Sequence, residues 1–168
     1  MSNIKNMKSF SKLLRLGDSR LYETSLPVQK HKLAELEPVI KDLHDVLMDF
    51  RAKYNAGRAI AAPQIGVLKR LIYLNIDKPV VIINPELFDM SSKLIEIWDD
   101  CLCFPELLVR VKRHESCNIR FFDQEWNTHE WQLNGDLSEL LQHEYDHLDG
   151  ILATQRAADG KAFRWRGE

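Results

Sequence analysis

The segment PVIKDLHDVLMDFRAKYNAG, residues 38–57, carries apolar side chains at Val39, Ile40, Leu43, Val46, Leu47 and Phe50. Steps of three and four keep them on one face, so the spacing predicts an amphipathic helix opened by Pro38 and ending near Gly57. A different rhythm follows. LIYLNI, VVIINPEL, LIEIWD, LLVRVKR, CNIRFFD and HEWQLNG are short β-branched and aromatic runs separated by turn residues, which predicts five or six strands. Helical spacing returns in NGDLSELLQHEYDHLDG, where Leu137, Leu141 and Leu148 form a core stripe. Asp136 and Glu139, just after Gly135, resemble a capping pair at its start. An N-terminal helix, an antiparallel or mixed sheet and a C-terminal helix, without regular strand–helix alternation, indicate an α+β fold rather than a doubly wound one.

Length and composition narrow the picture. A chain of 168 residues with 45% hydrophobic content can bury one sizeable core, so a single domain spanning 1–168 is expected. The 23 basic and 25 acidic side chains form no long run of one sign, which argues against a nucleic-acid surface and for a small-molecule or peptide partner. No obligate protein partner is evident. Cys101, Cys103 and Cys117 are too sparse for a disulfide framework, and reduced thiols in the cytoplasm are the simpler expectation. The N-terminal stretch lacks an apolar core followed by a cleavage site, and no run approaches membrane-spanning length. The tail RAADGKAFRWRGE is polar and basic and is expected to be mobile.

The C-terminal helix also contains His-Glu-x-x-His. Residues four apart share a helix face, so His143 and His147 can hold one cation with Glu144 beside it as a proton carrier. Two imidazoles fill at most half of a coordination sphere. HEYDHLDGILA begins like the metzincin pattern, but Ala153 stands where a third histidine belongs. A thermolysin-like carboxylate would need a later helix, and no segment of useful length follows. The upstream stretch DDCLCFPE offers Cys101 or Cys103, and sulfur with two nitrogens suits Zn²⁺ or Fe²⁺ better than Mg²⁺ or Ca²⁺.

Three ordered stretches, GRAIAAPQIGV, DDCLCFP and QHEYDHLDG, together resemble the peptide deformylase family, and LLRLGDSRLYETSLPV is similar to that family's N-terminal segment. The resemblance implies a metal-dependent hydrolase that removes formyl from N-formylated peptides, or a related formylated amine, in N-terminal processing. It assigns Cys101, His143 and His147 as ligands of one divalent ion, Fe²⁺ foremost, with Zn²⁺ or Ni²⁺ able to replace it. It implies Glu144 as general base and then acid, with the Gln64 side chain and the Leu102 backbone N–H stabilising the developing oxyanion. Gly57, Arg58, Ala59 and Asp100 fall where substrate backbone and side chain bind.

The same stretches depart from the family pattern. Ala59 and Asp100 replace glycines, and a Cβ at Ala59 would hinder close approach if φ were positive there. Arg58 brings a charge to a pocket that is apolar in the family, and Asp136 stands at another usually apolar position, although a helix-start role suits it equally. A polar or charged first residue of the substrate is one consequence; an Arg58 that snorkels to solvent is the other. An inactive binding module and an endopeptidase with a long groove remain alternatives at this stage.

Overall fold

The computed structural model describes residues 9–167. The reading of the N-terminus therefore falls in part on residues 1–8, outside the described residues, as does the last residue of the tail. The first long helix, α1, runs Glu37–Tyr54 and buries Leu43, Val46, Leu47 and Phe50 along the predicted stripe. It stops before Gly57 because Asn55 takes the left-handed conformation, φ 51°, and donates its N–H to the Arg51 carbonyl.

All six predicted strand runs form: β2 Leu71–Asn75, β3 Pro79–Phe88, β4 Leu94–Asp99, β5 Leu107–His114, β6 Ser116–Phe122 and β7 Thr128–Asn134. Two short strands join them, β1 Ala59–Ala61 and β8 Phe163–Trp165. Strands β1, β2, β3, β6 and β7 form one antiparallel sheet in that order, and β4, β5 and β8 form a second. The register of β3 against β6 shifts between Ile83 and Glu86, around Pro85, which has no N–H to give a ladder.

The tail corrects its expectation: Phe163–Trp165 pairs with Leu107–Val109. An edge strand needs only backbone pairing, and Arg164 lies 4.2 Å over the Trp98 ring, so polar composition does not prevent order.

The second helix, α2, covers Gly135–Leu148. Its Leu140, Leu141 and Leu148 pack with Ile72, Leu74, Ile82, Ile119 and Leu133 from one face of the larger sheet. Leu71 and Tyr73, alternate residues of β2, point to the opposite core shared with α1. The sheet is thus covered on both faces, which fixes α2 against β1. The expected capping pair does not form. Asn134 is the cap residue without a side-chain cap bond, Asp136 is exposed, and buried Glu139 is bound by Arg58 at 2.7 Å. A charge-assisted bond outweighs a neutral cap for a buried carboxylate. At the far end Gly150, φ 72°, is required, since a Cβ there would lie 2.5 Å from the Tyr22 carbonyl oxygen.

Candidate metal centre

Helix α2 points both of its histidines into the protein, with His143 and His147 fully inside. Their Nε2 atoms face each other at 3.2 Å, and Cys101 Sγ lies 3.4 Å from His147 Nε2. Cys101 follows directly after β4, so the smaller sheet delivers the thiol and α2 delivers the imidazoles. All three donor atoms lie within 4.8 Å of one another. Tetrahedral Zn²⁺-type bonds of about 2.05 Å to nitrogen and about 2.3 Å to sulfur would separate two nitrogens by about 3.3 Å and nitrogen from sulfur by about 3.6 Å. The His143–His147 and Cys101–His147 separations fit that geometry. Burial pushes the Cys101 thiol well above its ordinary value, and a cation reverses this because thiolate ligation removes the proton. The three side chains could therefore hold a metal ion. Cys103, the other thiol considered, is outside this triangle but shares a donor with it.

That donor is Gln64. The turn Ala62–Ile65 follows β1 and is closed by Gly66, φ 78°. Gln64 Oε1 accepts from the Ala61 N–H at 2.8 Å, which pins the amide. Its Nε2 then faces the sulfurs, 3.6 Å from Cys101 and 3.5 Å from Cys103. Leu102 lies in the next turn, and its N–H donates to no backbone carbonyl among the described loop and turn bonds.

A buried charge chain supports His143, and sequence reasoning missed most of it. Asp99 Oδ2 accepts from His143 Nδ1 and from Arg113 Nη2, each at 2.9 Å. Arg113 Nη1 reaches Asp146 at 2.5 Å, and Asp146 also accepts from Arg156 at 2.8 Å. Fixing His143 Nδ1 leaves its Nε2 for the centre. Asp99 opens the stretch DDCLCFP, where nothing in the sequence marks it as a partner of His143. Arg113 did carry a signal: it continues the inward face of Val109 and Val111, where an unpartnered charge would be costly. Asp146 lies inside the histidine motif, one residue before His147.

Electrostatics follow from this arrangement. Burial opposes a charge on His143, but the Asp99 carboxylate outweighs it and holds the ring up at about 9. Burial and the neighbouring His143 push His147 down. Burial raises the Glu144 carboxyl to about 7, and Glu144 Oε2 has no hydrogen-bond partner among the described residues. A carboxyl near neutrality is suited to exchange protons with substrate at physiological pH.

His143 and Glu144 line a cleft together with Phe50, Gly57, Arg58, Ala59, Asp99, Asp100, Leu102, Glu139 and Leu140. The four sequence-predicted substrate positions thus share one cavity with Glu144. Gly57 has φ 110°, and a Cβ there would press to 3.2 Å from Leu47. Ala59 is not among the non-glycine residues with positive φ; it is extended and packs towards α2, so the hindrance expected of its Cβ does not arise. Asp100 is tied outward to Arg166 just beyond β8. Arg58 is paired with Glu139, and its side chain remains partly exposed to solvent.

Known proteins share this architecture. A family model described as polypeptide deformylase matches residues 10–163. Peptide deformylase of Rickettsia typhi is 34% identical over 156 residues, covering 86% of this chain and 85% of that protein. Peptide deformylase of Dictyoglomus thermophilum is 34% identical over 136 residues, covering 79% of this chain and 88% of its own. Among solved structures, the Synechococcus elongatus peptide deformylase in complex with actinonin superposes with a TM-score of 0.80 at 28% identity, covering 88% of this chain and 79% of that one. The Legionella pneumophila peptide deformylase gives 0.78 at 32% identity over 87% of this chain and 85% of its own. With a matching family model over nearly its whole length and these relatives, the chain belongs to the polypeptide deformylase family.

Proposed function

We propose that this protein is a metal-dependent hydrolase that removes the formyl group from N-formylated peptides and releases formate. The observation that carries the reading is the buried cluster of one sulfur and two ring nitrogens, with His147 Nε2 3.4 Å from the sulfur and 3.2 Å from His143 Nε2, next to a carboxylate oxygen without a partner among the described residues. Cys101, His143 and His147 would hold the ion. Fe²⁺ is the ion we propose, with Zn²⁺ or Ni²⁺ as substitutes, since a mixed sulfur and nitrogen set accepts all three. A divalent cation held by these donors supplies Lewis acidity and lowers the pKa of water.

The protein's own groups then account for the rest. Glu144 takes the proton from the attacking water and later gives it to the leaving amine, the role for which its raised carboxyl pKa is suited. As the formyl carbon becomes tetrahedral, Gln64 Nε2 and the Leu102 N–H donate to the oxygen that gains charge, each worth about 3 kcal/mol of barrier. Asp99 keeps the His143 ring in one orientation throughout. Gly57, Arg58, Ala59 and Asp100 form the substrate side of the cleft. The compartment we propose is the cytoplasm: the three cysteines are free thiols. No helix among the described residues is long and apolar enough to cross a membrane.

The test is metal analysis of protein purified without oxygen, followed by formate release from formyl peptides. About one metal per chain and formate production are expected. Bound metal with no formate from any formylated peptide would overturn the reading in favour of a binding module.

A further inference from the structure

The Arg58–Glu139 pair is the part of the cleft that neither the metal ligands nor the proton carrier requires. Glu139 precedes His143 by four residues, so it lies one turn, about 5.4 Å, along the same face of α2. Arg58 approaches from the opposite wall at the start of β1, and its Nη2 donates to Glu139 Oε1 at 2.7 Å. The pair therefore spans the cleft beside the reactive centre. The remaining cavity is about 40 Å³, where one water needs roughly 10–15 Å³. A long apolar side chain entering along α2 would have to break or desolvate this pair.

The pair is also incompletely used. Its arginine side chain is 41% exposed against 11% for the glutamate, and a guanidinium has five N–H donors. One of them is spent on Glu139. The other acidic groups of the lining have partners: Asp99 binds His143 and Arg113, and Asp100 binds Arg166. Glu144 is the exception and belongs to the chemistry. A carboxylate entering here would face Glu139, Glu144 and Asp99 together, whereas an ammonium would meet Arg58. A neutral group that both donates and accepts complements the pair best, with its N–H on Glu139 and its oxygen on Arg58.

We propose that Arg58 and Glu139 set the substrate preference, selecting formyl peptides whose first residue carries a carboxamide, Asn or Gln, over those with an apolar side chain. This rests on the deformylase reading above. Rejection of an analogue lacking hydrogen-bonding groups is strong when it strands buried polar atoms; with Arg58 partly in water, a preference of about tenfold or more in kcat/KM is expected.

The experiment follows formate release by the full-length, metal-loaded protein on peptides differing only in the first residue: Gln, Asn, Met, Glu and Lys. Gln or Asn should lead, and the double variant Arg58→Leu/Glu139→Leu should reverse the Gln-to-Met ratio. The wild-type series decides the matter even if that variant does not fold. Equal or faster release from Met, Glu or Lys overturns the assignment while leaving deformylation intact, as does a double variant that keeps the amide preference. No formate from any peptide removes both readings together.

Discussion

Glu144 has a buried carboxylate oxygen with no partner among the described residues, which suits the proton carrier proposed above better than a structural acid. Replacing it with glutamine keeps the shape and removes the basicity. Glu144→Gln should therefore retain metal, measured by elemental analysis, while formate release falls about 10²–10⁴-fold. Asp99 works one bond further out. Burial pushes its carboxyl up, but His143 and Arg113 outweigh this and hold it at about 2, so it stays ionised as their acceptor. Asp99→Ala frees His143 Nδ1 and strands Arg113, and metal affinity should drop about 10–100-fold in a competition titration with a chelator. Unchanged affinity would mean that packing alone orients the ring. The candidate donors Cys101, His143 and His147 are recognisable in the chain because each falls in a short motif. Their supporters are not, since Asp99, Arg113 and Asp146 meet only after two sheets and a helix have packed.

Periodicity reports what an element buries, so the long elements are readable and the short ones are not. Helix α1 and strands β2 to β7 carry enough residues for a period to register. Strands β1 and β8 are three residues each, and no alternation can be recognised over that length. Pairing order is likewise hidden: β3 joins β6 across the β4–β5 hairpin, which belongs to the other sheet. Turn chemistry, by contrast, is local. In the β6–β7 connection Asp123 accepts from the N–H groups of Glu125 and Asn127 at 2.9 and 2.8 Å and from His129 at 2.7 Å. The His129 bond leads the groups that hold its carboxyl at about 2, against roughly 3.9 in an unfolded chain. The folded state thus gains stability above the unfolded value and loses it as pH falls towards 2. Asp123→Asn should flatten the decline in urea midpoint between pH 4 and pH 2 and lower the midpoint at pH 6. A decline as steep as that of wild type would place the acid sensitivity elsewhere.

The proposed centre would draw its donors from separate parts of the molecule. Cys101 follows the smaller sheet, while His143 and His147 belong to the helix packed on the larger one. An ion held there would cross-link two layers that also meet through side-chain packing, the Asp99–Arg113–Asp146 chain and the hydrogen bonds of Ser138 and Gln142 to the His114 backbone. Such a ligand binds the folded chain and not the unfolded one, so it stabilises in proportion to its affinity. At a hundredfold excess over Kd the gain is about 2.7 kcal/mol, which for a chain of this size raises Tm by roughly 5–10 °C. Stripping the metal with a chelator should lower Tm by that order, and adding Zn²⁺ or anaerobic Fe²⁺ should restore it. Cys101→Ala removes the donor from one layer only, so the same additions should produce a much smaller rise in its Tm. If chelation left Tm unchanged, or if Cys101→Ala responded as fully as wild type, the ion would not bridge the layers and the sulfur would not be a ligand.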